Sequence, residues 1–259
     1  MARMSDLDRA LAQELLEAAA AGSMAVPPSE RIPELGMPAA YSVEAEIKRL
    51  RIASGRTATG LKVGYANKAM WRALKLETLV WAHMYDDTVH FAKGGRAELA
   101  LKHYRSPKIE PEIVFKLKPE IVPGSILQSV EWLAIGFEII DCPFPDWQFK
   151  PADFVAAGGL HVGLVVGEPL AFEPALTDRL ARFKVRLLKN GQLVEEGSGK
   201  NSLRSPALCL EELARVASLS AGDLVSSGTL TTGQPVAKGD VWSVEIEDLP
   251  VSGLTLSFS

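Results

Sequence analysis

Cysteine and histidine are scarce in this chain of 259 residues, which carries two of the first and four of the second. Cys142 and Cys209 stand in separate segments without a C-x-x-C spacing, so they read as reduced, inert thiols of a reducing compartment. His83, His90 and His103 form no metal-ligand spacing. Positive charge is not in excess either: the formal charge is −4 and the pI about 5.7. No stretch concentrates Lys and Arg among aromatics, which excludes a binder of phosphate backbones. No run approaches the ~20 apolar residues of a membrane helix. Apolar residues between Met1 and Ala25 are interrupted by Asp6, Asp8, Arg9, Gln13, Glu14 and Glu17, unlike the core of a signal peptide, so a cytoplasmic protein is expected. G-x-S-x-G and G-x-G-x-x-G are absent. Gly197-Ser198-Gly199-Lys200-Asn201 fails as a phosphate loop, with Val194 where the first Gly belongs and Asn201 in place of Ser or Thr.

What is present is an average globular composition, 47% hydrophobic and 23% charged, in a length that accommodates one large domain. Ser5 followed by Leu7, Leu11, Leu15 and Ala18 predicts a capped helix ending near Gly22. After a Pro-containing break, Val43, Ile47 and Leu50 with Gly55 beyond predict a second. From Gly60 the texture becomes short apolar or alternating runs: 61–65, 109–117, 132–140, 162–166 and 241–247 read as strands. Residues 182–188 and 192–196 flank Asn190-Gly191, the signature of a tight hairpin. A helix is expected over 206–218 behind a Ser-Pro start. The organisation is therefore a single catalytic domain over 1–259, with a helical flank (1–56) and a β-rich core (57–259).

Chemistry concentrates in Lys108-Ile109-Glu110-Pro111-Glu112-Ile113-Val114-Phe115. In a strand Glu110 and Glu112 project to the same side, and two carboxylates sharing a site call for a cation or a shared proton. Two solvated glutamates on an edge strand are the ordinary alternative for that spacing. Glu138 shifts the balance, because it is a lone acid inside the apolar run Trp132 to Ile140 and needs a partner. Three oxygen ligands without His or Cys suit a hard ion, Mg²⁺ or Mn²⁺. Lys62, among apolar and Gly positions, is a candidate for proton transfer if burial weakens its hold on its proton. Asp86-Asp87 is a further candidate or simply a turn. His161, behind Gly158-Gly159, is either a proton carrier or a packed interior histidine. The loop Ser226 to Gly233 is a candidate substrate loop or an ordinary turn.

Taken together, Gly60-Leu61-Lys62-Val63-Gly64, Ile109 to Phe115, Phe137-Glu138-Ile139-Ile140-Asp141 and Ser227-Gly228-Thr229-Leu230-Thr231 resemble the fumarylacetoacetate hydrolase superfamily. More closely they look like its 2-keto-4-pentenoate hydratase and 4-oxalocrotonate decarboxylase branch. The resemblance implies an α+β fold, a mixed β-rich roll with N-terminal flanking helices. It also implies Mg²⁺ or Mn²⁺ on Glu110, Glu112 and Glu138, and a homo-oligomer acting on a small 2-oxo acid. By the same likeness Lys62 and Asp87, with Asp86 as the register alternative, match acid/base positions, and Ser227, Gly228 and Thr229 match a substrate loop.

Two departures bear on the reaction. The hydratases are expected to carry Asp-Asn, a small residue and Ser where Ala157-Gly158-Gly159-Leu160 stands, so those polar contacts are missing and His161 is the substitute at hand. The hydrolase branch is expected to use a His and Glu pair on a helix before the metal carboxylates, whereas the first histidine here is His83, beyond Lys-Val-Gly. Hydration of a 2-hydroxy-2,4-dienoate is therefore expected first, then decarboxylation of a 2-oxo-3-enedioate or oxaloacetate, then hydrolysis of an acylpyruvate. A catalytically silent oligomer that binds a 2-oxo acid is the reading of a different class.

Overall fold

The computed structural model describes residues 5–101 and 103–259. Its strands are β1 (Ala58–Gly64), β2 (Val80–Tyr85), β3 (Val89–Phe91), β4 (Arg96–Leu99), β5 (Lys108–Leu117), β6 (Val130–Ile140), β7 (His161–Val166), β8 (Leu170–Ala171), β9 (Lys184–Lys189), β10 (Gln192–Ser198), β11 (Leu224–Ser226), β12 (Gln234–Pro235), β13 (Val241–Glu247) and β14 (Leu254–Phe258). The helices are α1 (Asp6–Ala21), α2 (Pro28–Arg31), α3 (Met37–Ala53), α4 (Lys68–Leu74), α5 (Pro151–Ala156), α6 (Thr177–Leu180) and α7 (Pro206–Val216). None of the described helices is long and apolar enough to cross a membrane.

A nine-stranded sheet runs β2-β1-β11-β5-β6-β7-β3, with β12 added to β5 and β8 to β6; a five-stranded sheet runs β10-β9-β13-β14-β4. The main core lies between them. Ile109, Ile113, Phe115 and Leu117 of β5 and Leu133, Ile135, Phe137 and Ile139 of β6 meet Val185, Leu187, Trp242, Val244 and Leu256 there. Sliding β5 by one residue would turn its four core residues out, at about 1.5–3 kcal/mol each. That cost holds Glu110 and Glu112 on the opposite face.

Local sequence accounts for most elements. α1 has the expected capping box, Ser5 accepting from Asp8 N–H and Asp8 from Ser5 N–H, and it ends at left-handed Gly22. β9 and β10 form the hairpin through Asn190 (φ 51°) and Gly191 (φ 78°), the pair of left-handed residues a two-residue turn requires. β2, α4 and α5 are additional to the expected elements. Their short runs are set by caps and packing rather than by periodicity: Asn67 caps α4, and Pro151 opens α5.

The helical flank is joined to the core from both sides. Leu11, Leu15, Val43 and Ile47 of α1 and α3 pack with Val80, Ile140, Phe144, Phe154 and Val155. Asp153 of α5, fully buried, accepts from Ser29 N–H at 2.7 Å, Ser29 Oγ–H at 2.7 Å and Lys150 N–H at 2.8 Å, which ties α2 to the start of α5. Removing that acceptor strands buried donors, so Asp153→Ala is expected to cost about 1–3 kcal/mol in urea unfolding; an unchanged midpoint would refute the linkage.

Candidate metal centre

Antiparallel pairing of β5 with β6 sets Glu110 directly opposite Glu138, and Glu112 opposite Gly136. One oxygen from each of Glu110, Glu112 and Glu138 falls within 4.8 Å of the others. Like charges facing each other across a ladder are destabilising, so the arrangement needs compensation. Pro111 lacks the N–H that a neighbouring strand would use. It occupies the gap between the short pairings of β11 and β12 with β5, where its carbonyl accepts from Leu230 N–H at 2.8 Å.

Each carboxylate is oriented by different neighbours. Glu112 Oε2 accepts from Ser226 Oγ–H at 2.5 Å and Gly228 N–H at 2.8 Å. Its Oε1 is buried without a partner. Glu138 Oε1 accepts from His161 Nδ1–H at 2.9 Å, and His161 Nε2 meets Thr88 Oγ1 at 3.0 Å. Glu138 Oε2 stands 3.0 Å from Lys62 Nζ, close enough for charge attraction yet too poorly aligned to count as hydrogen-bonded. Glu110 alone keeps some openness, toward the cavity, and a side chain at Gly233 would come within 3.0 Å of its Oε1.

Lys62 enters this cluster because β1 lies beside β11, register Lys62 with Ser226. Its ammonium donates to Gly159 O at 2.9 Å and lies 5.0 Å from the centre of the Phe154 ring, sealed to 2% exposure. Gly158, Gly159 and Leu160, with φ of 62°, 67° and 58°, turn the chain tightly over it. Gly159 is required there, since a Cβ would lie 2.8 Å from Lys62 Cδ. Burial pulls the Lys62 pKa down, but Glu138, Glu110 and Glu112 outweigh it and hold the pKa above the ordinary value. The proton loss expected from burial alone does not occur in this surrounding.

The carboxylates divide accordingly. Burial and the nearby Glu138 push Glu110 up to about 7, and burial with Glu138 and Glu110 raises Glu112 as well. Burial would raise Glu138 too, but Lys62 and His161 keep it below the ordinary range. Fully ionised, the three carboxylates would exceed the one ammonium by two charges, the charge of one divalent ion, whose binding would displace the protons that Glu110 and Glu112 otherwise retain. The unpartnered Glu112 Oε1 and the unaligned Glu138 Oε2 are the atoms such an ion would take, and an all-oxygen set suits Mg²⁺ or Mn²⁺.

A cavity of about 580 Å³ opens on this cluster. Lys62, Glu110, Tyr65, Met70, Trp147, Phe149, Phe154, Gly228 and Thr229 are on its wall. Among the sequence candidates, Glu110, Glu112, Glu138, Lys62 and His161 come together, and Gly228 and Thr229 flank the cavity. Ser227 Oγ is buried without a partner and is not on that wall; the loop's contact with the carboxylates runs through Ser226 and the Gly228 amide. Asp87 is placed elsewhere: its carboxylate pairs with Arg51 at 2.5 Å and Arg56 at 3.2 Å beyond the end of β2. Asp86 accepts from Thr57 N–H at 3.1 Å. Neither lines the cavity, so their acid/base role has no geometric support. His161 has both ring nitrogens engaged and a side chain only 2% exposed, which makes it an orienting group for Glu138 rather than a free proton carrier. Sequence reading placed Ser226 only in a candidate substrate loop, not against Glu112, and missed Thr88 and Phe154. The first was hidden in the loop it helps form, and the others sit far along the chain from their partners.

Two outcomes follow from these contacts. Loss of an outer partner of a metal-binding carboxylate costs about 10–100-fold in metal affinity; His161→Ala is expected to weaken Mn²⁺ binding by that range in a calorimetric titration, and parent-like affinity would show the contact idle. The second concerns pH. Glu110 and Glu112 hold protons more tightly folded than unfolded, so the metal-free chain loses stability as pH rises from about 4.5 toward 7. Glu138, held below the ordinary range, works in the opposite direction only at the bottom of that window, where the unfolded chain still binds part of its proton. Thermal melts should fall over this range without metal and flatten with Mg²⁺ or Mn²⁺ present; parallel profiles would contradict the assignment.

Comparison with known proteins shows the family. Residues 108–255 match the family model described as fumarylacetoacetate (FAA) hydrolase C-terminal. The chain is 31% identical over 264 residues to a 4-oxalocrotonate decarboxylase of Pseudomonas sp., covering 96% of each. It is 30% identical over 247 residues to a 2-hydroxyhexa-2,4-dienoate hydratase of Comamonas testosteroni, covering 92% of each. Among solved structures, 4-oxalocrotonate decarboxylase from Pseudomonas putida G7, complexed with magnesium and adipate, superposes with a TM-score of 0.85 at 26% identity over 98% of both chains. With the family model covering more than half its length and such relatives matching nearly end to end, the chain belongs to the fumarylacetoacetate hydrolase family.

Proposed function

We propose that this chain is a divalent-metal-dependent lyase that hydrates a 2-hydroxy-2,4-dienoate, the enol form of a 2-keto-4-enoate. The observation that carries the reading is the set of Glu110, Glu112 and Glu138 gathered within 4.8 Å beside Lys62, opening on a cavity with Tyr65, Trp147, Phe149 and Phe154 on its wall. Glu110, Glu112 and Glu138 would hold Mg²⁺ or Mn²⁺, which when bound supplies Lewis-acid stabilisation of an enolate developing on a chelated 2-oxo acid. Lys62, kept protonated by its neighbours, is the group placed to donate a proton or hydrogen bond at the carboxylate end of the cavity. Met70, Trp147, Phe149 and Phe154 exclude water from the conjugated tail and offer faces on which it stacks. His161, anchored by Thr88, keeps Glu138 turned toward the other two carboxylates.

Decarboxylation of a 2-oxo-3-enedioate is the second reading, favoured by the 0.85 TM-score to a decarboxylase. Both reactions place charge on the same enolate, so one set of residues serves either. Hydrolysis of an acylpyruvate ranks below them, because His83 is committed to Glu44 at 2.7 Å and neither residue lines the carboxylate cavity. The same reading takes residues 1–259 as one catalytic unit, from the resemblance a homo-oligomer, and from the N-terminal sequence pattern a cytoplasmic protein.

The experiment is an ultraviolet assay with Mg²⁺ or Mn²⁺ on 2-hydroxypenta-2,4-dienoate, a 2-oxo-3-enedioate, oxaloacetate and an acylpyruvate. Loss of dienol absorbance that a chelator abolishes is the expected result. Absence of metal-dependent turnover with all four would leave a silent 2-oxo acid binder. Glu112→Gln removes a charged ligand while keeping the Ser226 and Gly228 contacts within reach of its amide oxygen. It should drop turnover by at least about a hundredfold and weaken Mn²⁺ binding without altering the circular dichroism of the fold.

A further inference from the structure

A second cavity, of about 290 Å³, lies across the turn at 158–161 from the carboxylates, and Leu160 is on the wall of both. Three elements build it. Glu44, Ile47 and Arg51 come from one face of α3, and His83 and Tyr85 from one face of β2, while Leu15, Leu16, Ala19 and Ala20 of α1 give it an apolar side. Its charged groups, with one exception, are committed. Arg51 pairs with Asp87 at 2.5 Å, Arg105 with Asp141 at 2.8 Å, and His161 is held between Glu138 and Thr88. Glu44 is the exception. It is only 2% exposed, and its Oε1 accepts from His83 N–H at 2.9 Å and meets His83 Nδ1 at 2.7 Å, while its Oε2 has no hydrogen bond among the described residues. Among those residues His83 is the one basic group within ion-pair distance, and it carries charge only when protonated. A carboxylate placed so deeply without a permanent cation is costly. Tyr85, 6% exposed, adds a hydroxyl that is buried without a partner. Burial and then the charge of Glu44 push its pKa up, which sets the two groups in one another's field.

We propose that this cavity is a second binding site, taking a primary ammonium on a short aliphatic stem, with Glu44 and the Tyr85 hydroxyl as its polar contacts and α1 as its apolar wall. An ammonium brings three donors and no acceptor. It therefore suits an open carboxylate oxygen and the lone pairs of a phenol, whereas an anionic ligand would meet Glu44 and an alcohol would leave its charge uncountered. The Arg51 guanidinium lies over the Tyr85 ring, 4.5 Å from its centre, and so takes the face of the ring rather than the hydroxyl. Its pairing with Asp87 offsets the repulsion it would exert on a second cation. The volume is close to the lower end of small-molecule sites, which limits the stem to a few carbons. Glu44, His83 and Tyr85 are not on the wall of the carboxylate cavity, so the inference does not rest on the lyase reading.

The test titrates n-butylamine, butan-1-ol and butyrate calorimetrically into the protein with saturating Mg²⁺ present, which competes with the amine for Glu110, Glu112 and Glu138. The amine should bind more tightly than either isostere. Glu44→Gln keeps an acceptor for His83 but removes the charge, and should weaken the amine about 10–100-fold while leaving butan-1-ol unchanged. Tyr85→Phe deletes a hydroxyl that has no partner in the empty cavity. It should leave the melting temperature unchanged or higher, yet weaken the amine about 2–10-fold. Butan-1-ol or butyrate binding as tightly as the amine would overturn the proposal, and so would no binding by any of the three. Amine affinity that survives Glu44→Gln but falls with Glu112→Gln would put the ammonium at the carboxylate cluster and overturn it as well. If Glu44→Gln does not fold, the comparison of parent with Tyr85→Phe decides: equal amine affinity sinks the site, and a loss of affinity without a loss of stability upholds it.

Discussion

Three carboxylates gathered on one face of a nine-stranded sheet around a single ammonium are the constraint from which the rest of this molecule's design follows. Packing on one face of β5 and β6 forces the glutamates to the other face, and the antiparallel register then sets Glu110 against Glu138. Once there, Glu112 and Glu138 are too buried to be hydrated, Glu110 alone opens toward the cavity, and the three are too numerous for Lys62 alone. The donors gathered around them, Ser226, the Gly228 amide, His161 and Lys62, reach only Glu112 and Glu138, and two buried oxygens, Glu112 Oε1 and Glu138 Oε2, stay without a hydrogen bond. A half-satisfied polar cluster of this kind would be a defect in an inert core. Here it is the arrangement that a divalent ion would complete.

Topology supplies what local sequence does not. β1 pairs in parallel with β11, which brings Lys62 alongside Ser226 although 164 positions separate them by their numbers. α5 is fastened to the N-terminal region through Asp153 and Ser29, and that fastening sets Phe154 over the Lys62 ammonium. The flanking helices therefore act on the site without touching substrate: they hold the lid of the low-dielectric pocket in which one lysine and three glutamates fix one another's charge.

Much of this was legible in the residues. The i, i+2 spacing of Glu110 and Glu112, and the isolation of Glu138 in an apolar run, were enough to bring the three together on paper, because strand periodicity is local. The resemblance of the surrounding motifs supplied the family and the metal. The sequence could not reveal which neighbours orient each carboxylate, since Thr88, Phe154 and Ser226 depend on contacts across 70 or more positions. Asp87 misled for the opposite reason: spacing from Lys-Val-Gly gave it a role, but the chain turns after Tyr85 and spends the carboxylate on Arg51 and Arg56. The glycines of Gly197-Ser198-Gly199 are explained by crowding rather than by phosphate. A Cβ at Gly197 would lie 2.0 Å from Leu230 O, and one at Gly199 would lie 1.9 Å from Leu180 O.

The position of Lys62 also limits how such a centre can be inherited. The family-matched stretch, 108–255, contains all three carboxylates, whereas the ammonium that neutralises one of them arrives on β1, and β1 in turn provides the parallel neighbour of β11. A transplanted 108–255 segment would carry its acids without their counter-charge and expose a strand edge where Lys62 used to lie. The three glutamates and their counter-charge thus depend on two separate stretches of chain. Drift in the N-terminal stretch is constrained by glutamates it does not contain.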